Sequence, residues 1–314
     1  MDNQFNEIQS LLRSKAELQA RLNLIPYKGT VEIKQIDNKK YVYIRKRIAN
    51  KVKSIYVGVY SDELYTVLLK QVKDAKDIKK KIREIEKQLA KLNYSQEELS
   101  NEVILNLDFA RANMKSLIYD QAILEGISTT FPDTEAIIDN GKVNNMSTED
   151  VMKIINLKHA WEFILDKDVI LSPTNYYVSQ YIAKLINEGF FYDGGRIRQI
   201  PVSIGGSSYK PPLPIENAVR EKIGNIINSS LNDIDKAIEL TLFVMKTQIF
   251  MDGNKRIAII LANHYLISKG TGLLVVPFEL IPEFIKLLIA YYEDYDTLSI
   301  KDFLKNKCWR KLNL

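Results

Sequence analysis

Residues 247–256, Thr-Gln-Ile-Phe-Met-Asp-Gly-Asn-Lys-Arg, gather a carboxylate, a glycine, two carboxamides and two cations in ten positions. That set suits an anion. A loop opening into a helix leaves its first backbone N–H groups unpaired at the positive end of the dipole, and Gly253 lets a phosphate approach the main chain closely. Lys255 and Arg256 add charge, while Asp252 offers carboxylate oxygen to a magnesium ion. The flanks read as the two helices this needs. Upstream, Ile234, Ile238, Leu242 and Met245 recur at helical spacing over 233–246, behind acids in the first turn. Downstream, 256–267 is apolar almost all round and stops at Lys269-Gly270, which predicts a buried helix.

Two other stretches carry pattern. In 195–214 the run Arg196-Ile-Arg-Gln-Ile-Pro-Val-Ser-Ile204 alternates like a strand, Gly205 and Gly206 turn it, and Tyr209 leads into Pro211, Pro212 and Pro214. Residues 114–124 have helical periodicity and end at Glu125-Gly126.

Phe250-x-Asp252-Gly253-Asn254-Lys255-Arg256 resembles the active-site loop of the Fic family, His-x-Phe-x-Asp/Glu-Gly-Asn-Gly/Lys-Arg-x-x-Arg. The 195–214 stretch is similar to the Fic flap, a hairpin that aligns a target segment by strand addition, and 122–130 to the family's inhibitory helix, here about 112–126. The resemblance implies a mainly helical domain that transfers AMP from ATP, with Mg2+, to a Ser, Thr or Tyr of a target protein. It assigns the metal to Asp252 and the nucleotide to Gly253, Asn254, Lys255 and Arg256. Asn254 and the loop amides would stabilise charge at the α-phosphate, and Arg256 would bind the outer phosphates. Arg198, Gly205, Gly206 and Tyr209 fall on the flap, Glu125 and Gly126 on the inhibitory motif.

Three departures bear on the chemistry. The catalytic His position is Gln248, and a carboxamide does not titrate near neutrality. The second Arg is Ile259, so Glu125 lacks its usual partner, which Arg256 could replace. The Ser/Thr four before the inhibitory Glu is Gln121. The Asn254-Lys255-Arg256 ending also resembles Doc, a toxin relative that phosphorylates a translation factor, although Doc keeps the His. Three function classes therefore stand: an adenylyltransferase weakened or altered by Gln248, a catalytically silent interaction module or antitoxin-like partner, and a Doc-like kinase.

The chain around these motifs has 314 residues, 46% hydrophobic, enough for about two domains. One cysteine, Cys308, excludes an internal disulfide, and there is no signal pattern or spanning run; both favour the cytoplasm and no membrane. Charge is uneven: residues 1–95 hold 21 Lys+Arg against 11 Asp+Glu, residues 96–314 hold 23 against 28. The expected organisation is a basic module over 1–95 and a Fic-type domain over 96–314. In the module, 3–24 reads as an amphipathic helix, three alternating stretches from Thr30 to Val59 as a small antiparallel sheet, and 61–92 as a helix able to pair with the first. Tyr41, Tyr43 and Tyr56 interleave with Lys39, Lys40, Arg45, Arg47 and Lys53, either as a platform for nucleic acid or as a half-solvated sheet that docks protein. The sequence leaves a homo-oligomer open. His159 and His264 have no partner at metal-ligand spacing, and His264 is expected to be packed.

Overall fold

The computed structural model describes residues 7, 10–12, 14–15, 18–19, 21–22, 25–48, 51–92, 99–143 and 146–311. The chain divides into two compact units, 1–96 and 97–314.

In the first unit the described residues of 7–22 are helical (α1), and the remainder of the expected 3–24 helix lies outside the described residues. Strands β1 (Thr30–Ile36), β2 (Lys39–Ile48) and β3 (Lys51–Val59) form an antiparallel sheet in the order β1-β2-β3. Asp37 and Asn38 both take positive φ, 47° and 60°, as a two-residue hairpin turn requires. Helix α2 (Asp62–Lys91) starts where the Ser61 hydroxyl accepts from Leu64 N–H at 3.1 Å. Val42 and Ile44 on one face of β2 are buried against Leu68 and Val72 of α2, each such side chain contributing about 1.5–3 kcal/mol. Farther along α2, Ala75 and Ile82 pack on Leu22 with Leu18 and Ile78, the helix pairing the sequence predicts.

The second unit is helical: α3 (Asn101–Ala112), α4 (Met114–Leu124), α5 (Phe131–Ile138), α6 (Thr148–Ile164), α7 (Lys167–Ile170), α8 (Tyr176–Ile186), α9 (Glu216–Ile227), α10 (Asp233–Thr247), α11 (Asn254–Ser268), α12 (Ile281–Tyr292) and α13 (Ser299–Phe303). A short pair, β4 (Leu273–Leu274) with β5 (Trp309–Arg310), ties its end back. The core runs along α11, where every residue from Arg256 to Ile267 is buried, as its all-round hydrophobicity predicts. His264 is packed there, its ring nitrogens on Thr174 Oγ1 at 2.8 Å and Val169 O at 2.9 Å, and burial pulls its pKa down to about 4.

Three expectations change. Helical spacing over 96–107 marks a helix whose described residues begin at Asn101 behind the Ser100 cap and run on to Ala112, while 96–98 lie outside the described residues. Helices α5 and α7 were not anticipated; each opens on a side-chain cap, from Thr130 and Asp166. The expected 198–210 hairpin turns back at Gly205-Gly206, but its strand-like pairing is a single bridge, Ile197 with Phe250. Pro201, Pro211, Pro212 and Pro214 have no N–H to give a ladder.

Candidate anion-binding cleft

Helix α10 ends by a left-handed residue that is not glycine: Gln248 has φ 48° and ψ 61°. Its side chain holds that shape. Gln248 Nε2 donates to Met245 O at 2.6 Å, and Oε1 accepts from Asn254 Nδ2 at 3.1 Å. Asn254 closes the loop by accepting from Phe250 N–H at 3.0 Å and donating to Phe250 O at 2.8 Å. Phe250 itself is fully buried. Gly253, at φ 72°, has a second reason to be glycine, since a Cβ there would lie 2.6 Å from Ile186 Cγ2. The loop is also fastened from α8: Asn187, buried at the end of that helix, donates to Asp252 O at 3.2 Å and Gly194 O at 3.1 Å.

The charged groups are arranged differently. Arg256, 2% exposed, places Nη2 3.1 Å from Asp252 Oδ2 and Nε 3.5 Å from Glu125 Oε2. Lys255 Nζ lies 4.0 Å from Glu125 Oε1. Arg256 Nε, Arg256 Nη1 and Glu125 Oε1 are buried without a hydrogen-bond partner. Arg256 and Lys255 are thus the cations beside Glu125. Asp252 projects toward solvent, its carboxylate half-exposed.

A cleft of about 230 Å³ is lined by Glu125, Gln248, residues 252–255 and 203–205, and by Ile285, Leu288, Ile289 and Tyr292. Burial, with the Glu125 carboxylate nearby, pushes the Tyr292 phenol up. Glu125 caps α4, which Gln121 ties to α6 by accepting from Trp161 Nε1 at 2.9 Å. The 199–214 segment is latched to the end of α12: the Glu293 carboxylate accepts from Ser208 N–H at 2.7 Å and Ser207 Oγ at 2.9 Å, while Tyr209 stacks on Tyr292.

Arg198 is placed otherwise than expected for a target-binding residue. It is 1% exposed, with Nε on Gln248 O at 2.5 Å, Nη1 on Ile200 O at 2.9 Å, and Nη2 on Pro211 O at 3.1 Å and Pro212 O at 2.5 Å. It closes the base of the segment. The prolines that cannot donate leave carbonyls for a five-donor guanidinium to collect. Gly205, Gly206 and Tyr209 lie at the tip, and Gly126 follows Glu125 at φ 76°. Asn187, Tyr292 and Glu293 were missed. At the close of an apolar helix each reads as an ordinary terminal residue.

No group of three or more His, Cys, Asp or Glu among the described residues could hold a metal. Asp252 alone fits magnesium, which takes one or two carboxylates and completes its shell with water and phosphate oxygens. The orphaned donors of Arg256 fit a phosphate. None of the described helices is long and apolar enough to cross a membrane.

The second unit is therefore a helical domain with a candidate anion site at the start of its central helix. Residues 176–266, which contain that site, match the Fic/DOC family, and the fold is Fic-like. Residues 5–66 match a domain of unknown function, DUF6788. Among solved structures, a Fic domain containing signaling protein from Bacteroides thetaiotaomicron is 19% identical, with TM-score 0.51, over 64% of this chain and 80% of that one. Fic-1 (residues 134–508) from C. elegans is 18% identical, with TM-score 0.52, over 78% and 73%. A Fic family protein from Desulfovibrio desulfuricans G20 is 13% identical, with TM-score 0.52, over 67% and 73%. No curated protein matches.

Proposed function

We propose that the chain binds ATP with Mg2+ in this cleft and transfers AMP to a Ser, Thr or Tyr hydroxyl of a target protein, slowly because Gln248 stands where the family has its base. The observation that carries the reading is the incompletely bonded buried ion cluster: Arg256 Nε and Nη1 and Glu125 Oε1 lack hydrogen-bond partners at a helix N-terminus. Buried polar atoms are ordinarily bonded, so unused donors beside a cleft mark a place for an acceptor from outside. The target oxygen bonds to the α-phosphorus of the nucleotide, the bond from that phosphorus to the bridging oxygen breaks, pyrophosphate leaves, and the hydroxyl proton passes to solvent water. Arg256 and Lys255 bind the outer phosphates, Asp252 holds the metal, and the first backbone N–H groups of α11, from Asn254 onward, stabilise charge at the α-phosphate. The segment around Gly205, Gly206 and Tyr209 positions the target. Gln248 does not remove a proton, since a carboxamide has no titratable site in this range and both its ends are engaged. Losing a general base costs roughly 10²–10⁴ in rate.

The same two hydrogen bonds favour a second reading, a silent Fic-type interaction module. Label transfer from ATP marked at the α- or the γ-phosphate, with magnesium and host lysate, separates the readings. The proposal expects α-label on a target, lost in Asp252→Ala and raised in Gln248→His. Transfer by Gln248→His alone would mean that the native chain is silent, and γ-label would make it a Doc-like kinase. No label and no nucleotide binding would leave the interaction module.

A further inference from the structure

The outer face of the first unit's sheet, opposite the Val42 and Ile44 face, is neither core nor part of the cleft. Register places Lys34 and Tyr41 side by side on β1 and β2, then Glu32 with Tyr43, while Tyr43 pairs with Tyr56 and Arg45 with Ser54 across β2 and β3. A bulge at Val42/Tyr43 lets Val57 join the core while Tyr56 stays outside. Three tyrosines thus meet on one face. Tyr56 lies 6.1 Å from Tyr41 and 5.6 Å from Tyr43, ring centre to ring centre, inclined at 57° and 66°. It is 54% exposed at the middle of the patch, and Ile36 and Val59 are also exposed.

Cations flank this apolar centre. Lys34 Nζ lies 4.8 Å from the centre of the Tyr43 ring, and Lys39 and Arg45 are exposed on β2. The one acid on the described face, Glu32, accepts from Ser54 Oγ at 3.0 Å and lies 3.7 Å from Lys34, so its charge is partly balanced within the protein. Residues 1–95 as a whole carry nearly two cations per acid.

We propose that this face binds a single-stranded nucleic acid, with a base stacked on Tyr56 and phosphates on Lys34, Lys39 and Arg45. Net positive charge selects a polyanion. The aromatic and aliphatic centre selects among polyanions: a duplex hides its base faces and offers mainly phosphates and groove edges, whereas a single strand offers a π-face at every nucleotide. Tyr41 and Tyr43 prop the Tyr56 ring, so little side-chain freedom is lost when a base settles on it. This inference stands independently of the nucleotide cleft.

The test is fluorescence anisotropy of the full chain with labelled oligothymidylate of about 15 nucleotides, and with a matching duplex, between about 50 and 200 mM salt. The expected result is salt-steep binding of the single strand, tighter than the duplex. Tyr56→Ala weakens it about tenfold, Tyr56→Phe leaves it nearly unchanged, and the double variant Lys34→Ala/Arg45→Ala lowers the salt slope by about 1.4, or 0.7 per phosphate contact. Exposure of these side chains predicts unaltered melting, checked by circular dichroism. Duplex binding as tight as single-strand binding overturns the proposal, as does indifference to Tyr56→Ala. Absence of binding by a folded chain would assign the face to a protein partner and likewise overturn it.

Discussion

The two ends of the loop joining α10 to α11 treat their polar groups in opposite ways. Toward α10, Gln248 and the Asn254 side chain that reaches back to it from the start of α11 are bonded through both atoms of each carboxamide, to one another and to the main chain. At the α11 end Arg256 and Glu125 are as deeply placed, yet keep unmatched atoms and an ion pair of 3.5 Å. Neutral amides fix a backbone at small desolvation cost, whereas a buried charge is held well only when paired and fully bonded. The difference teaches that neutral amides fix the shape of the site, while the hydrogen bonding of its ions is left incomplete.

Asn254→Ala attacks the amide end and should have the largest effect. It removes three hydrogen bonds and leaves Phe250 N–H and Gln248 Oε1 unmatched in the interior, a loss of about 2–4 kcal/mol. Urea denaturation measures it; a change below about 0.5 kcal/mol would show that packing, not the amides, shapes the loop. Glu125→Gln attacks the ionic end while keeping its size. If Glu125 competes with an anion for Arg256 and Lys255, calorimetry should find ATP bound about tenfold more tightly, equivalent to ~1.4 kcal/mol. Weaker binding would instead make Glu125 the residue that orders Arg256.

How far the sequence exposes this contrast depends on whether a residue acts locally. The helices on either side of the loop, the Asp37-Asn38 turn and the three strands follow from periodicity and turn chemistry within a few residues. Gly253 is legible for the same reason. Arg198 is not, because its role depends on carbonyls supplied by Thr247, Gln248, Pro211 and Pro212, brought together only by the fold. Alternation over 196–204 suggests a strand, yet strand-like pairing there reduces to the bridge at Ile197. The partner of Glu125 lay between these cases. Absence of a second arginine was visible in the sequence, but that Arg256 turns toward both Asp252 and Glu125 is a matter of packing.

Asp120 carries the comparison onto α4 and gives the smallest effect. Its carboxylate accepts from Phe278 N–H at 3.2 Å, tying the helix that ends in Glu125 to the turn preceding α12. Burial pushes its pKa up to about 6, against the opposing pull of that N–H and of Arg310. An unfolded aspartate titrates near 3.9. The folded state therefore holds the proton more tightly, so between about pH 4 and pH 6 it binds more protons than the unfolded chain and stability falls as pH rises through that window. The loss should be on the order of 1 kcal/mol after allowance for solvent screening. Asp120→Asn keeps an acceptor for Phe278 N–H and cannot ionise. Urea midpoints of the two proteins from about pH 4 to pH 7 should therefore diverge, with the native chain losing stability relative to the variant. A constant difference would mean that Asp120 ionises as freely as in the unfolded chain, and that burial of α4 costs that carboxylate nothing.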